Sequence, residues 1–279
     1  MVAEPRTNLH RRMRTNATVF LGGGRITSAM AAGLRLAGYD EEIVVYDRHP
    51  EKLRALRRES RVEIARDLKS ALLRARMLIV AVRPASVGEL LDAIEGGTVP
   101  APNLCVSLAA GIPLRKLRAR LGAATHWVRA MPSPVCRVGR GLTALCFERN
   151  FPRGGRARVR EFFQNVGAVL EVPESQFDAF TAVYSSSHGY HALAMLAKAG
   201  QDAGLGRVAA LTAAAHALSD GISYWRDSQS PLADLLREAA TPGGIAAAAM
   251  TATDKAGYAR AVSNGIRAGI KQARLNAKR

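Results

Sequence analysis

Three consecutive glycines close an apolar run in Ala17-Thr-Val-Phe-Leu-Gly-Gly-Gly-Arg-Ile-Thr-Ser-Ala-Met30, and a small-residue helical pattern follows them. This arrangement suits the phosphates of a dinucleotide. Gly22 permits a tight strand-to-helix turn, Gly24 lets the backbone approach a pyrophosphate, and the following helix points free N–H groups at the anion. Leu21, Gly22, Gly23, Gly24, Arg25 and Ile26 are the candidate phosphate turn. The third fingerprint position, usually Gly or Ala for close helix–strand packing, is Thr27 here. About 25 residues past the first glycine, a second β-branched run ends on Asp47, whose carboxylate can accept ribose hydroxyl groups. The adjacent Arg48 can receive a 2′-phosphate, so the coenzyme is read as NADPH or NADH. A glycine-rich turn at an ordinary crossover would explain the glycines alone, but not the acid at that distance.

Two more strand ends would line the same groove: Ala81, Val82, Arg83 and Pro84 in one, and Ala109, Ala110 and Gly111 in the other. Their small residues and proline allow the backbone to pass close to a cofactor. In the second half, Tyr184-Ser-Ser-Ser-His-Gly-Tyr190 places three hydroxyl groups, a histidine and a glycine within an otherwise helical apolar stretch. Ser186, His188 and Tyr190 are candidate catalytic residues, with His188 suited to donate a proton. Thr241-Pro-Gly-Gly244 opens a helix; Thr241 suits the cap, and the Gly243 and Gly244 amides suit a carboxylate. The plainer alternatives are a polar kink and an N-cap. His188 and His191 lie near one helical turn apart without an evident third ligand, so no metal site is expected. Glu174 and Asp178 share helical spacing and suit capping as well as catalysis, while His216 reads as a packed or interface residue.

These residues need a scaffold of alternating elements. The pattern predicts strands over 17–22, 42–46, 77–82 and 104–108, with helices over 28–36, 50–58 and 86–94 between them. Shorter strands are expected over 124–128, 142–147 and 168–172. Such alternation implies right-handed βαβ units and a parallel, doubly wound sheet whose carboxyl edge carries the ligand. Past Pro173 the chain turns to Ala- and Leu-rich helical segments over 177–203, 207–225, 231–240 and 243–278. The expected organisation is a disordered basic tail over 1–15, a dinucleotide-binding domain over 16–173 and a helical domain over 174–279. The helical half has few large apolar residues for its length, so it is expected to bury its faces against a second copy.

Composition narrows the function. The net charge of +17 invites nucleic acid. However, the basic residues are scattered and not interleaved with aromatics, so they read mainly as solvated helix faces that steer anionic ligands. No window approaches the roughly 18 apolar residues of a membrane span, and residues 1–16 have arginines without a signal-peptide core. No membrane partner and a cytoplasmic location are expected. The three cysteines lack metal-ligand spacing and read as packing residues of a protein in a reducing compartment.

The ordered set of motifs resembles the pyrroline-5-carboxylate reductase family from Ala17 to about Arg274. It is carried by Gly22-Gly-Gly24, Ala81-Val-Arg-Pro84, Ala109-Ala-Gly-Ile112, Arg129-Ala-Met-Pro132, Val138-Gly-Arg-Gly141, Glu174-Ser-Gln-Phe-Asp-Ala179 and Thr241-Pro-Gly-Gly244. The resemblance implies an N-terminal Rossmann-type domain, an all-α C-terminal domain that interlocks into a homodimer or higher oligomer, and NAD(P)H-dependent reduction of a cyclic imine carboxylate to proline. The departures fall in the substrate half. The family's Ser-Gly-Ser-Gly-Pro-Ala-Tyr loop keeps only Ser186 and Tyr190 in register, its threonine after Pro-Gly-Gly is Ala246, and its Met-Pro-Asn-Thr-Pro loop is Met131-Pro-Ser-Pro-Val135. Reduction of another imine or carbonyl compound, and a non-catalytic nucleotide-binding role, are the alternatives.

Overall fold

The computed structural model describes residues 17–49, 51 and 53–278. The expected basic tail, Pro50 and Lys52 lie outside them. The first half alternates as its hydrophobic pattern dictates: β1 (Ala17–Leu21), α1 (Arg25–Leu36), β2 (Ile43–Tyr46), α2 (Leu53–Ser60), β3 (Glu63–Ile64), α3 (Leu68–Arg74), β4 (Ala75–Val80), α4 (Val87–Glu95) and β5 (Leu104–Ser107). There follow α5 (Leu114–Arg118), β6 (His126–Met131), β7 (Gly141–Phe147), α6 (Arg153–Gln164), β8 (Gly167–Glu171) and α7 (Glu174–Val183). The strands form one sheet in the order β3-β2-β1-β4-β5-β6-β7-β8.

The sheet departs from the all-parallel expectation at one place, where β7 runs antiparallel to β6. The physical reason is the short connection through Pro134–Val138, which holds a 3-10 turn and no crossover helix. Strands buried on both faces read as continuous apolar runs, and their alternate residues feed two separate cores. On one face Val19, Leu21, Leu78, Val80 and Trp127 pack with Leu91, Leu117 and Phe177. On the other, Phe20, Ile43, Ile79 and Val128 pack with Met30, Leu34, Leu56 and Phe163. The three cysteines are buried and unpaired, as packing residues should be.

The chain divides into two compact units: residues up to Tyr184 with those from Gly269 onward, and Ser185–Ala268. The division falls later than the expected boundary after Pro173. Helix α7 belongs with the sheet because Phe177 is fully buried in the core and the Tyr184 hydroxyl accepts the Leu142 N–H at 2.7 Å.

The second unit consists of α8 (Ser186–Asp202), α9 (Arg207–Ser228), α10 (Leu232–Ala239), α11 (Ile245–Lys255) and the start of α12 (Tyr258–Asn276), whose end lies in the first unit. Two expected continuous helices are each broken. The segment over 177–203 stops at Val183 and restarts at Ser186, and the segment over 243–278 is interrupted between Lys255 and Tyr258, with Gly257 at φ +88°. In α9, Val208, Leu211, Ile222 and Trp225 are exposed, and a period of 3.6 places them on one stripe about 100° wide. No helix among the described residues is long and apolar enough to cross a membrane.

Candidate coenzyme cleft and catalytic loops

A cleft of about 390 Å³ opens at the carboxyl ends of β1, β2 and β4. Of the expected coenzyme residues, Leu21, Gly22, Gly24, Asp47, Arg48, Ala81, Val82 and Arg83 line it. The three glycines have different tasks. Gly22 has φ +113°, and a Cβ there would meet the Ala81 carbonyl oxygen at 2.7 Å. A Cβ on Gly23 would strike Leu53, and its N–H donates to Asp47 Oδ2 at 2.8 Å. Gly24 is different, because a Cβ there meets nothing within 4 Å. The first two glycines serve the protein's own packing, and the third leaves space for a ligand.

Gly24 also caps α1 without a side-chain hydrogen bond, and no acidic residue occupies the first helical turn. The leading N–H groups of the helix therefore keep their capacity for an anion, and the helix dipole favours one. The Thr27 departure finds its explanation here. The side chain is fully buried, and its hydroxyl donates to the Gly22 carbonyl at 2.6 Å, fastening helix to turn without the smaller residue.

Asp47 fixes the other end of the cleft. Its Oδ1 accepts the His49 N–H at 2.9 Å while Oδ2 holds Gly23. The Arg48 guanidinium is paired with Glu89 of α4. Several lining residues escaped the sequence reading: Tyr46, His49, Leu68, Ser86, Glu89, Leu90 and Ala93. The available signal for Leu90 and Ala93 was their i, i+3 spacing in the helix after β4, which places both on one face.

The remaining candidates lie elsewhere in the first unit. Arg25 is exposed and Ile26 is half-buried against the core, while Pro84 starts a 3-10 turn. The loop of Ala109, Ala110 and Gly111 packs beneath the end of α12: a Cβ on Gly111 would meet the Ala273 carbonyl at 2.2 Å, and Asn276 donates to the Ala110 carbonyl at 3.4 Å.

In the second unit, the serine run is a helix start. Ser185 occupies the N-cap, accepting the Ser187 N–H, and its hydroxyl lies 2.7 Å from that of Ser187. Ser186 is the first residue of α8, and Tyr190 is exposed one turn on. Thr241 does not cap α11 as expected. Its hydroxyl donates to the Glu238 carbonyl at 3.3 Å, because the turn through Pro242 directs it back to α10. The Gly244 N–H, expected to be free for a carboxylate, donates instead to the Thr241 carbonyl at 2.9 Å. Gly243 takes φ +78° in this turn, and Gly244 becomes the N-cap without a side-chain bond. The leading amides of α11 are thereby the ones open to an anion. His216, expected to be a packed or interface residue, is not packed within the chain: it is exposed and paired with Asp220 at 3.0 Å, because an acid four residues on lies on the same helix face.

Glu174 and Asp178 hold the Arg129 guanidinium of β6 at 2.7 and 2.9 Å, and the N-cap of their helix, Pro173, makes no side-chain hydrogen bond.

Two family models match the chain. One, described as NADP oxidoreductase coenzyme F420-dependent, covers residues 18–111; the other, pyrroline-5-carboxylate reductase dimerisation, covers 174–275. Pyrroline-5-carboxylate reductase from Mycobacterium tuberculosis is 32% identical over 273 residues, spanning 89% of this chain and 92% of the relative. The chain belongs to the pyrroline-5-carboxylate reductase family. The enzyme of that name from Synechocystis is 29% identical over 90% of the chain and 95% of its own length. Among solved structures, Plasmodium falciparum pyrroline carboxylate reductase with NADP bound shares the fold with a TM-score of 0.83 at 22% identity, covering 95% of this chain and 99% of that one. The Streptococcus pyogenes 1-pyrroline-5-carboxylate reductase also gives 0.83, at 23% identity and 94% and 99% coverage.

Arg129, Glu174 and Asp178 join β6 to α7. The segment after β6 packs against α1, where a Cβ on Gly33 would lie 2.0 Å from the Cys136 carbonyl. Gly22, Gly24 and Asp47 line the cleft.

Proposed function

We propose that this chain reduces 1-pyrroline-5-carboxylate to L-proline, consuming NADH or NADPH and one proton and releasing the oxidised coenzyme. The observation that carries the reading is the vacant space over Gly24 at an uncapped helix N-terminus, in a chain whose 32% identical relative carries this enzyme name over nine-tenths of its length. The cleft residues fit a dinucleotide. The α1 amides and Gly24 would receive the diphosphate, Asp47 a ribose, and Leu68 and Leu90 the apolar edge of the base. When bound, the coenzyme supplies a hydride to the carbon of the C=N bond.

The substrate half of the reading assigns the carboxylate to the leading amides of α11, beside Gly243 and Thr241, together with the Ser186 hydroxyl. A protonated imine needs little acid catalysis; for a neutral imine, His188 or Tyr190 would supply the proton to nitrogen. The chain would work as a homodimer, with the exposed apolar stripe of α9 covered by a second copy. A cytoplasmic location accords with this role. A different cyclic imine is the second reading, favoured by Ala246 and the altered Tyr184–Tyr190 loop.

The test follows NADH and NADPH oxidation while pyrroline-5-carboxylate, piperideine-2-carboxylate and piperideine-6-carboxylate are titrated separately. Saturable turnover of the five-membered ring is expected. Silence there with turnover of a six-membered ring transfers the assignment to the second reading.

A further inference from the structure

We infer that the cleft is built for NADH in preference to NADPH, and that Glu89 acts with Asp47 to set this preference. The inference rests on the coenzyme reading above. Asp47 follows β2, the position that meets a ribose in doubly wound folds. Its carboxylate is held on both oxygens by backbone N–H groups, from Gly23 at 2.8 Å and His49 at 2.9 Å. Each oxygen retains a lone pair for a ribose hydroxyl, but the carboxylate cannot turn away from a 2′-phosphate. The extra phosphate of NADPH would meet a fixed like charge.

Arg48 is the residue that would counter this repulsion, since guanidinium groups recognise phosphate well. Its guanidinium is already paired with Glu89, which reaches over from α4 on the same cleft lining. Releasing Arg48 to a 2′-phosphate would uncover a second carboxylate beside the anion. The two side chains are 58% and 66% exposed, so the pair contributes little to fold stability. Its consequence is electrostatic, in that it cancels the arginine's field in the cleft. Arg83 and His49 also line the cleft. Arg83 follows β4, next to the glycine turn of β1, where it would serve the diphosphate common to both coenzymes. The His49 ring faces Glu51, with Nδ1 3.6 Å from the carboxylate.

The test is equilibrium binding of NADH and of NADPH to the folded protein, by calorimetry without substrate. The native chain should bind NADH at least about tenfold more tightly, the difference that ~1.4 kcal/mol makes. Glu89→Gln should strengthen NADPH binding about fivefold relative to NADH binding, in the range of one exposed ion pair. Adding Arg48→Ala should abolish that gain, and His49→Gln alone should leave the ratio as it was. Equal or tighter binding of NADPH by the native chain overturns the inference, as does an E89Q effect that is absent or the same for both coenzymes. A folded protein that binds neither coenzyme refutes the coenzyme reading itself, a separate result.

Discussion

Arg129, whose side chain is 2% exposed on β6, donates to Glu174 at the start of α7 across 2.7 Å, and this contact, with Asp178 at 2.9 Å, ties the helix after the sheet back onto it. The guanidinium also lies 4.3 Å from the centre of the Phe177 ring. A buried cation whose partners come from one helix makes that helix part of the sheet's own unit.

Removing the arginine should therefore cost far more than removing one acid. Arg129→Ala uncovers two carboxylates next to a cavity and is expected to lower stability by about 3–5 kcal/mol. Glu174→Gln keeps a hydrogen-bonding oxygen and leaves Asp178 in place, so a loss of roughly 1–2 kcal/mol is expected. Urea denaturation followed by circular dichroism measures both, and equal losses would refute the hierarchy.

Gly22 and Gly24 should give opposite phenotypes. Gly22→Ala strains a turn at φ +113° and drives a methyl group at the Ala81 carbonyl, so lower stability is expected along with lost coenzyme binding. Gly24→Val extends into open space and should leave the melting temperature nearly unchanged while weakening coenzyme binding about a hundredfold, roughly 2.7 kcal/mol. If Gly24→Val binds coenzyme normally, the cleft assignment fails.

Ser185 and Ser186 divide in the same manner. Ser185→Ala removes the N-cap of α8 and should lower stability by about 0.5–2 kcal/mol. Ser186→Ala should leave stability intact and raise the substrate KM at least tenfold, about 1.4 kcal/mol of lost binding. Steady-state kinetics together with thermal melts separate the two effects.

The apolar stripe of α9 gives a prediction in solution. The native protein should elute at twice the chain mass or more, and Leu211→Glu should shift it toward the monomer on light scattering. A native monomer would show that the stripe is not covered by a second copy.

Alkali should destabilise the protein through its buried acids. Burial pushes Cys136 up to about 11; burial, and then the nearby Glu174 carboxylate, push Cys146 up to about 12. Burial raises Cys105 further still and moves Tyr39 up to about 12. In the unfolded chain thiols ionise near pH 9. Above that pH the unfolded state loses protons that the folded state retains, so stability is full below pH 9 and falls as pH rises toward 12. The urea midpoint should decline over this window, and a thiol reagent at pH 8 should modify the three cysteines only after denaturation.

The first unit was more legible than the second, for physical reasons visible in particular residues. A strand buried on both faces, such as Ile43–Tyr46, announces itself by composition, and the Gly22 turn announces itself because no other residue suits its backbone. Helix α6 was hidden because its charged face, Arg153 to Arg160, obscured the buried Val159, Phe162 and Phe163. Strand β3, two residues long, is held by its pairing with β2, a contact that no local pattern encodes. The same limit applies to the reversed β7. In the helical unit, alanine-rich sequence favours helix throughout, so the break at Ser185 and the diversion of the Thr241 hydroxyl depended on turn geometry. Of the candidate site, the phosphate turn and Asp47 were readable; the Arg48–Glu89 pair joins positions 41 residues apart and was not.

The loop at Gly111 rests against Ala273, and residues from Gly269 onward complete the first unit. A ribosome makes that closing segment only after the whole of Ser185–Ala268 has been polymerised. The sheet-bearing unit must therefore wait, with its Gly111 face uncovered, while the helical unit is synthesised, and its final consolidation follows the birth of its neighbour. The Gly111 face closes last, whereas every residue that lines the cleft, from Leu21 to Ala93, is already made.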